Sequence, residues 1–533
     1  MKFLLTVLAA CLLPLAALRA ADAPKSDKPD KPDDGKTPPA EEYFKPESVT
    51  SSGSLAGTDY QAVAGTIVVH PKEWDDVKDK ENKDNPTAVA SMFYVAYFKK
   101  GAPATSRPVT FFYNGGPGSS TVWLHMGAFG PRRVVTADDT HTPAAPYEVV
   151  DNESSLLDVS DLVFIDAPGT GFSRIAGKDK EKAFYGVDPD AYAFSQFILQ
   201  FLGQYGRWNS PKYLFGESYG TPRSAVLVNL LQNGAAVDFN GVILLSQILN
   251  FDLSADGAEV NPGVDLPYEV ALPTYAATAW YHHKLAAPAP TDLPKFLAEV
   301  QAFAMGDYAL ALQAGATLDD TRRHAIAEKL HQYTSLPVAY ILKANLRIDG
   351  GEFEKNLQDD ANLTTGRLDS RFSGPTIDPL SKEADYDPQS SAISSAYVSV
   401  FNDYVRKTLN YGQDKQYKPE IDVFKYWDFK HQQPGATFAF QGTTNVLPDL
   451  AVAMKTNPNL KVLLLGGYFD VATPYFEGIY EMQHLPIPPK LQANISYHYY
   501  ESGHMIYAHA ESLKKLHEDV AGFIRATDNI GGK

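Results

Sequence analysis

Residues 212–221 read Lys-Tyr-Leu-Phe-Gly-Glu-Ser-Tyr-Gly-Thr and contain the most informative motif of the chain. Its apolar first half predicts a short strand, Gly216 to Gly220 form a turn of the pattern G-x-S-x-G, and an apolar helix is expected to follow. Pro222 suits the first turn of that helix, where an N–H group is not needed. A serine on so sharp a turn holds its hydroxyl clear of the sheet. Ser218 is therefore the candidate nucleophile.

Short apolar stretches alternate with helical patterns along the rest of the chain. They predict strands at 108–113, 161–166, 212–215, 241–246, 461–465 and 494–500, and helices at 190–204, 221–232 and 508–524. Two earlier stretches, 58–71 and 87–99, are rich in β-branched and aromatic residues and predict antiparallel strands. Buried strands that alternate with helices indicate a mostly parallel sheet covered on both faces. With the serine turn, this pattern predicts an α/β-hydrolase fold.

The strand rhythm stops between residues 251 and 440, which we interpret as a mainly helical cap inserted into the core. Helices are predicted at 292–304 and at 318–333, the second after Thr317 as N-cap, and 349–390 reads as loop. The core itself is expected to comprise residues 44–250 and 441–533.

The first residues read as export signals. Residues 1–20 combine Lys2, an apolar stretch and a small-residue cleavage site at Ala20 or Ala21, which is typical of a signal peptide. The apolar run continues past Cys11, which favours cleavage over lipidation at that residue. Residues 21–43 are rich in Pro, Lys and Asp and predict a disordered linker. We therefore expect a periplasmic or secreted protein.

The composition of the chain argues against several classes of partner and of binding site. The net charge of −17 argues against binding to nucleic acid or to anionic membranes, and no membrane anchor is expected. Cys11 is the only cysteine, so loss of a signal peptide would leave no disulfide and no thiolate site. An exported protein without cysteine suggests a bacterial origin. His282 and His283 lack a carboxylate at ligand spacing, and neither a metal site nor a cofactor is predicted.

A serine hydroxyl attacks only when a base takes its proton, and that base needs a carboxylate to orient it. Asp470 follows the predicted strand at 461–465, and His504 follows the one at 494–500. The order serine, acid, histidine is that of an α/β-hydrolase triad. A single histidine or strand-end aspartate is more often structural, so the prediction rests on all three residues following strands in this order.

An oxyanion hole needs two N–H donors. The serine turn offers the N–H of Tyr219, and the loop Asn114-Gly115-Gly116-Pro117-Gly118 after the strand at 108–113 could offer that of Gly115 or Gly116. The same glycine-rich sequence is also compatible with a simple tight turn.

Together these motifs resemble the serine carboxypeptidase family, peptidase family S10, whose members are exopeptidases with an α/β-hydrolase fold. The matching stretches are Asn114–Ser119, Asp161–Ser173, Gly216–Tyr219, Gly467–Pro474 and Gly503–Met505. The resemblance implies Ser218 as nucleophile, His504 as base and Asp470 as its orienting acid. It also implies Gly116 and Tyr219 as the oxyanion donors, and peptides as substrates.

The resemblance further implies that Asn114 and Glu217 bind the free C-terminal carboxylate of the substrate. Two carboxyl groups in hydrogen-bond contact share a proton, so Glu217 should be protonated when substrate binds. Binding would then weaken as the pH rises, which predicts activity at acidic pH.

The sequence departs from the family in that region. Phe112 stands where the family usually has Trp, Ala128 where it has Glu, and Ser119 where it has Cys. Part of the carboxylate-binding network is therefore missing, and Arg132 or Arg133 could bind a carboxylate instead. Two alternatives follow: a related serine acylase, esterase or acyltransferase with altered carboxylate recognition, and an exported binding protein on an inactive hydrolase scaffold.

Overall fold

The computed structural model describes residues 43–75, 87–439 and 442–530. The predicted signal peptide at 1–20, and all of the predicted linker except residue 43, lie outside the described residues.

One large sheet forms the centre of the molecule and contains ten strands in the described part of the chain. Two two-stranded sheets accompany it. The strands are β1 Ser48–Leu55, β2 Thr58–Val69, β3 Val89–Lys99, β4 Val109–Tyr113, β5 Arg132–Val134, β6 Val149–Asp151, β7 Asp161–Ile165, β8 Arg174–Ala176, β9 Lys212–Glu217, β10 Gly241–Leu245, β11 Leu363–Thr365, β12 Ser373–Pro375, β13 Lys461–Gly467 and β14 Ile495–Tyr500.

The order in the large sheet is β1-β2-β3-β7-β4-β9-β10-β13-β14, with β8 paired to β3. The strands from β7 to β14 run parallel to one another, and the pairings that involve β1, β2, β3 and β8 are antiparallel. The six parallel strands therefore end at one edge, which we call the carboxyl edge. This arrangement confirms the predicted α/β-hydrolase fold.

Helices cover both faces of the sheet. The helices of the described residues are α1 Lys180–Phe184, α2 Val187–Gln204, α3 Gly220–Ala235, α4 Leu266–Tyr281, α5 Leu293–Phe303, α6 Ala309–Ala314, α7 Asp320–Thr334, α8 Val338–Lys343, α9 Gly350–Asn356, α10 Pro388–Lys407, α11 Leu447–Thr456, α12 Tyr475–Gln483, α13 Pro489–Gln492 and α14 Ala510–Thr527. One buried apolar cluster lies between the sheet and α2, α3 and α11, and a second lies beneath α10 and α14. Among the described residues, no helix combines the length and apolar character that a membrane span requires.

The helices α4 to α9 pack around a third apolar cluster, which also includes Phe469, Val471 and Tyr475 from the segment after β13. This cluster joins the region between residues 251 and 440 to the carboxyl edge of the sheet.

Two local predictions in this region were wrong. The N-cap of α7 is Asp319, whose carboxylate accepts the Arg322 N–H at 2.9 Å, whereas the Thr317 hydroxyl donates to the Ala314 carbonyl. The stretch 349–390 is not all loop, because it contains α9, β11, β12 and the start of α10.

Candidate active site

Ser218 lies between the end of β9 and the start of α3, with a φ of +58°. Its N–H donates to the Leu245 carbonyl at 3.0 Å, which ties the turn to the neighbouring strand β10. A Cβ at Gly216 would lie 2.1 Å from the Gly220 carbonyl oxygen, so the strand and helix approach each other too closely for any side chain there. The sequence thus forms the strained turn that lifts a nucleophile above the carboxyl edge.

Asp470 and His504 form a buried hydrogen-bonded pair. Asp470 lies just beyond β13 and His504 just beyond β14, and the distance between Oδ2 and Nδ1 is 2.8 Å. The Thr473 hydroxyl donates to the same Oδ2 at 2.7 Å, and the Thr473 N–H donates to Oδ1 at 3.0 Å. These contacts fix the orientation of the carboxylate.

The pair also lies beside the serine turn. The Ser246 hydroxyl donates to the His504 carbonyl at 2.7 Å, and Ser246 follows Leu245, the residue that accepts the Ser218 N–H. These two contacts tie the serine turn and the His504 loop to adjacent residues, Leu245 and Ser246, at the end of β10. The structure therefore brings the predicted serine, acid and histidine together at the carboxyl edge.

The contact with Asp470 determines the proton positions on His504. A carboxylate can only accept, so Nδ1 carries the proton and the Nε2 of the neutral ring is free to take another. Burial opposes protonation of this ring, but the charge and hydrogen bond of Asp470 outweigh it, and the pKa of His504 is raised. The charge of Glu217 acts in the same direction.

The glycine-rich loop after β4 lies directly against the serine turn. A Cβ on Gly115 would lie 2.3 Å from the Tyr219 nitrogen, and Gly116 has a φ of +106°, which favours glycine. Within the described residues, the N–H groups of Gly116 and Tyr219 donate to no protein acceptor. Two main-chain donors are thus available next to Ser218.

Glu217 directly precedes Ser218, and Asn114 directly follows β4; both side chains are buried. Glu217 Oε1 accepts the Tyr507 hydroxyl at 3.1 Å, whereas Oε2 has no hydrogen-bond partner in the described part of the chain. Burial raises the pKa of Glu217 to about 7, although the His504 charge, the hydrogen bond from Tyr507 and the nearby Asn114 amide oppose the shift. At acidic pH, Glu217 is a neutral acid with one uncommitted oxygen.

Comparison with known proteins identifies the family. The sequence profile described as Serine carboxypeptidase matches residues 82–529, which is most of the chain. The chain belongs to the serine carboxypeptidase family.

Curated relatives of this serine carboxypeptidase family member are distant. A serine carboxypeptidase-like protein of Arabidopsis thaliana is 28% identical over 177 residues, covering 31% of this chain and 34% of that protein. A pheromone-processing carboxypeptidase of Cryptococcus gattii is 27% identical over 245 residues, covering 43% of this chain and 33% of that protein. A carboxypeptidase Y homologue of Arthroderma benhamiae is 30% identical over 139 residues, covering 26% of this chain and 25% of that protein. The chain thus spans about a third or less of the length of these relatives.

Two positions where the chain departs from its family are filled by apolar side chains. Phe112 is buried, with its ring stacked on Phe164 at 4.8 Å and tilted against Phe215 at 5.2 Å between ring centroids. Ala128 is buried in a π-helical turn, Leu124–Phe129. Neither can donate to Glu217. The residue that does so, Tyr507, was missed in the sequence analysis, although it stands only three residues after His504.

The two arginines considered as alternatives differ. Arg132 Nη1 lies 2.5 Å from Asp151 Oδ1 in a solvent-accessible ion pair between β5 and β6. Arg133, its neighbour in β5, is half-buried.

The sequence analysis also missed a segment between β11 and β12 that connects the acid and histidine loops. The Leu368 carbonyl accepts the His504 N–H at 2.6 Å, and the Asp369 carboxylate accepts the Gly503 N–H at 3.1 Å. The neighbouring Arg367 carbonyl accepts two N–H groups of the loop that follows Asp470, each at 3.1 Å. Residues 367–369 therefore fix the two loops relative to each other.

One group of carboxylates in the described residues has the spacing of a possible metal site. The carboxylates of Glu259, Asp349 and Glu383 lie within 4.8 Å of one another. Asp349 is also the N-cap of α9, where it accepts the Glu352 N–H at 2.9 Å. No member of the group belongs to the predicted triad or is one of the pair Asn114 and Glu217, and the cluster is explained by this capping role and by surface exposure.

Proposed function

We propose that the protein is a serine carboxypeptidase that removes single residues from the C-termini of peptides through an acyl-enzyme. The observation that carries the proposal is the buried Glu217, with its unpartnered Oε2, next to Ser218 and close to His504. A neutral carboxylic acid in that position can donate a proton to a carboxylate, and a peptide presents a carboxylate beside its last bond.

The proposed chemistry uses the groups that the structure places at the carboxyl edge. His504 Nε2 takes the proton of the Ser218 hydroxyl as its oxygen attacks the carbonyl of the last peptide bond. The negative charge on the carbonyl oxygen is stabilised by the N–H groups of Gly116 and Tyr219. His504 then gives the proton to the leaving amine, the C–N bond breaks, and an ester to Ser218 remains. Water, deprotonated by His504, hydrolyses this ester, and Asp470 orients the ring throughout.

Recognition of the C-terminal carboxylate of the substrate involves a second proton, the one on Glu217. Glu217 Oε2 donates to the terminal carboxylate, and the Asn114 amide provides a further donor because its Oδ1 already accepts the Leu124 N–H at 3.2 Å. The Glu217 charge is one reason for the raised pKa of His504. A neutral Glu217 therefore favours a neutral His504, so the protonation state that binds substrate also supports the base.

The test uses paired peptides that differ only at the C-terminus. Peptides with a free C-terminus should lose one residue at a time at acidic pH, detected by mass spectrometry, and their amidated analogues should be cleaved at least about tenfold more slowly. Equal cleavage of both sets would contradict terminal recognition. Turnover of simple esters without trimming of peptides would favour the related esterase or acyltransferase.

We further infer that the protein is bacterial and exported, from the signal-like residues 1–20 and the lone Cys11. Expression of the full chain in a Gram-negative host, followed by fractionation and N-terminal sequencing, tests export. A periplasmic product that begins after Ala20 or Ala21 is expected, and an uncleaved cytosolic product would contradict the inference.

A further inference from the structure

Tyr507 lies in the short 3₁₀ turn Ile506–Ala508, between the His504 loop and α14. Its side chain is buried, and its hydroxyl donates to Glu217 Oε1 at 3.1 Å. A hydrogen bond between two buried groups that lie 290 residues apart joins the histidine loop to the residue before the nucleophile. Tyr507 thus contacts the carboxylate-binding region without belonging to the triad.

The space for this tyrosine is provided by a glycine. A Cβ at Gly127 would lie 2.6 Å from the Tyr507 ring and 2.7 Å from the Tyr397 hydroxyl. The next residue, Ala128, is small and fully buried. The π-helical turn that contains both residues therefore leaves room for two tyrosines where a larger side chain would exclude them.

The contact with Tyr507 decides which oxygen of Glu217 carries the acid proton. An O–H that donates to Oε1 makes that oxygen an acceptor, so the proton of the neutral acid belongs on Oε2. Oε2 is the oxygen without a partner in the described residues. The Asn114 amide oxygen is already used by the Leu124 N–H, which directs the amide donors away from Leu124.

We propose that Tyr507 is the positioning residue of the carboxylate-binding site, because it holds Glu217 in place and assigns its proton to the oxygen that meets the substrate. The inference rests on the proposed carboxypeptidase function, and it adds a residue that replaces the missing polar partners at Phe112 and Ala128.

Tyr507→Phe tests this role because it removes only the hydroxyl. For peptides with a free C-terminus, kcat/KM at acidic pH should fall roughly 3- to 10-fold, mostly through KM, as expected for one lost hydrogen bond. For ester substrates without a carboxylate, kcat/KM should stay within about twofold. The hydrogen bond from Tyr507 opposes the rise in the pKa of Glu217, so its loss should raise that pKa further. The alkaline decline of kcat/KM for peptides with a free C-terminus should therefore move to higher pH.

Tyr213→Phe is the matched control. Tyr213 is a buried tyrosine near the start of β9, and its hydroxyl contacts the Ile524 carbonyl at 3.1 Å and the Thr527 hydroxyl at 2.8 Å. This variant also loses a buried hydroxyl, but it should leave both substrate classes and the pH profile unchanged.

Three results would overturn the role of Tyr507: equal losses for free peptides and esters, an alkaline limb that does not move, or full activity on both substrate classes. The proposed function fails separately, if the wild-type protein does not distinguish free from amidated peptides.

Discussion

The two ends of the parallel sheet each contain a buried carboxyl group, but among the described residues only the one at the amino end is paired with cations. At the amino ends of β4, β7 and β9, Asp161 pairs with Arg107 at 3.0 Å and with Arg207, and it accepts the Lys99 N–H at 3.0 Å. Both of its oxygens are used. At the carboxyl ends of the same strands, Glu217 is equally buried but has no cation paired with it in the described residues and leaves Oε2 without a partner.

Under the proposed function, the difference separates groups that stabilise the fold from groups that bind a ligand. A buried charge costs several kcal/mol unless it is paired and hydrogen-bonded, and the Asp161 cluster meets that condition. Glu217 and the free N–H groups of Gly116 and Tyr219 do not. The free-energy cost of burying these groups without partners falls at the end of the sheet where a substrate can complete the hydrogen bonds.

The largest effect is expected for Ser218→Ala at the carboxyl edge. Loss of the nucleophile should reduce kcat/KM by about 10⁴-fold or more, because the acyl-enzyme cannot form. Stability in urea should stay within about 0.5 kcal/mol, since the change removes one oxygen from a half-buried side chain. Ester hydrolysis and labelling by a fluorophosphonate measure the loss. A large loss of stability would instead assign Ser218 to the fold.

Asp161→Asn should have the opposite outcome at the amino end. Removal of the charge leaves Arg107 and Arg207 buried without a counter-ion, and the free energy of unfolding should fall by about 3–5 kcal/mol. The folded fraction should keep the wild-type kcat. Asp403→Asn is the control, because Asp403 forms an exposed pair with Lys407 and its loss should cost less than about 0.5 kcal/mol. Urea unfolding distinguishes the two variants.

The sequence predicted the parts of the site that local patterns encode. Continuous apolar strands indicated the sheet, and Ser218, Asp470 and His504 each directly follow such a strand or lie within a few residues of it. The fold follows from these patterns because parallel strands that end together bring their loops together.

The parts that depend on distant contacts could not be predicted in this way. Tyr507 reads as one more apolar residue after His504, and its importance depends on Glu217, 290 positions earlier. The contacts of Leu368 and Asp369 with the histidine loop are equally non-local. The helix α9 did carry a local signal, the capping box of Asp349 and Glu352, which the surrounding Gly, Asp and Ser obscured.

Glu217→Gln tests the role of the unpaired acid at the carboxyl edge. Glutamine can still donate but cannot ionise, so the decline with free peptides as the pH rises through about 7 should disappear, and the pH optimum should move upward. At pH 8 the variant should approach or exceed the wild type, whereas at pH 5 it should be about tenfold slower, because the bond to the carboxylate is weaker. An unchanged profile would remove Glu217 from terminal recognition.

The last prediction concerns Glu477 in α12, a second buried acid near the carboxyl edge. Neither of its oxygens has a partner in the described residues, and burial, followed by the charges of Glu481 and Asp470, raises its pKa well above the usual 4.5. The folded state therefore keeps a proton that the unfolded state releases above pH 4.5. Stability from this group is complete below that pH and is lost as the pH rises toward the folded-state pKa.

In that window each such carboxyl should lower the free energy of unfolding by about 1.4 kcal/mol per pH unit. Glu477→Gln should reduce the slope by about that amount in urea titrations between pH 5 and pH 8. Glu511→Gln, at an exposed position of α14, should leave the slope unchanged. If the Glu477 variant kept the wild-type slope, its oxygens would have partners in solution, and an unpartnered buried carboxyl would no longer distinguish the carboxyl edge from the paired amino end.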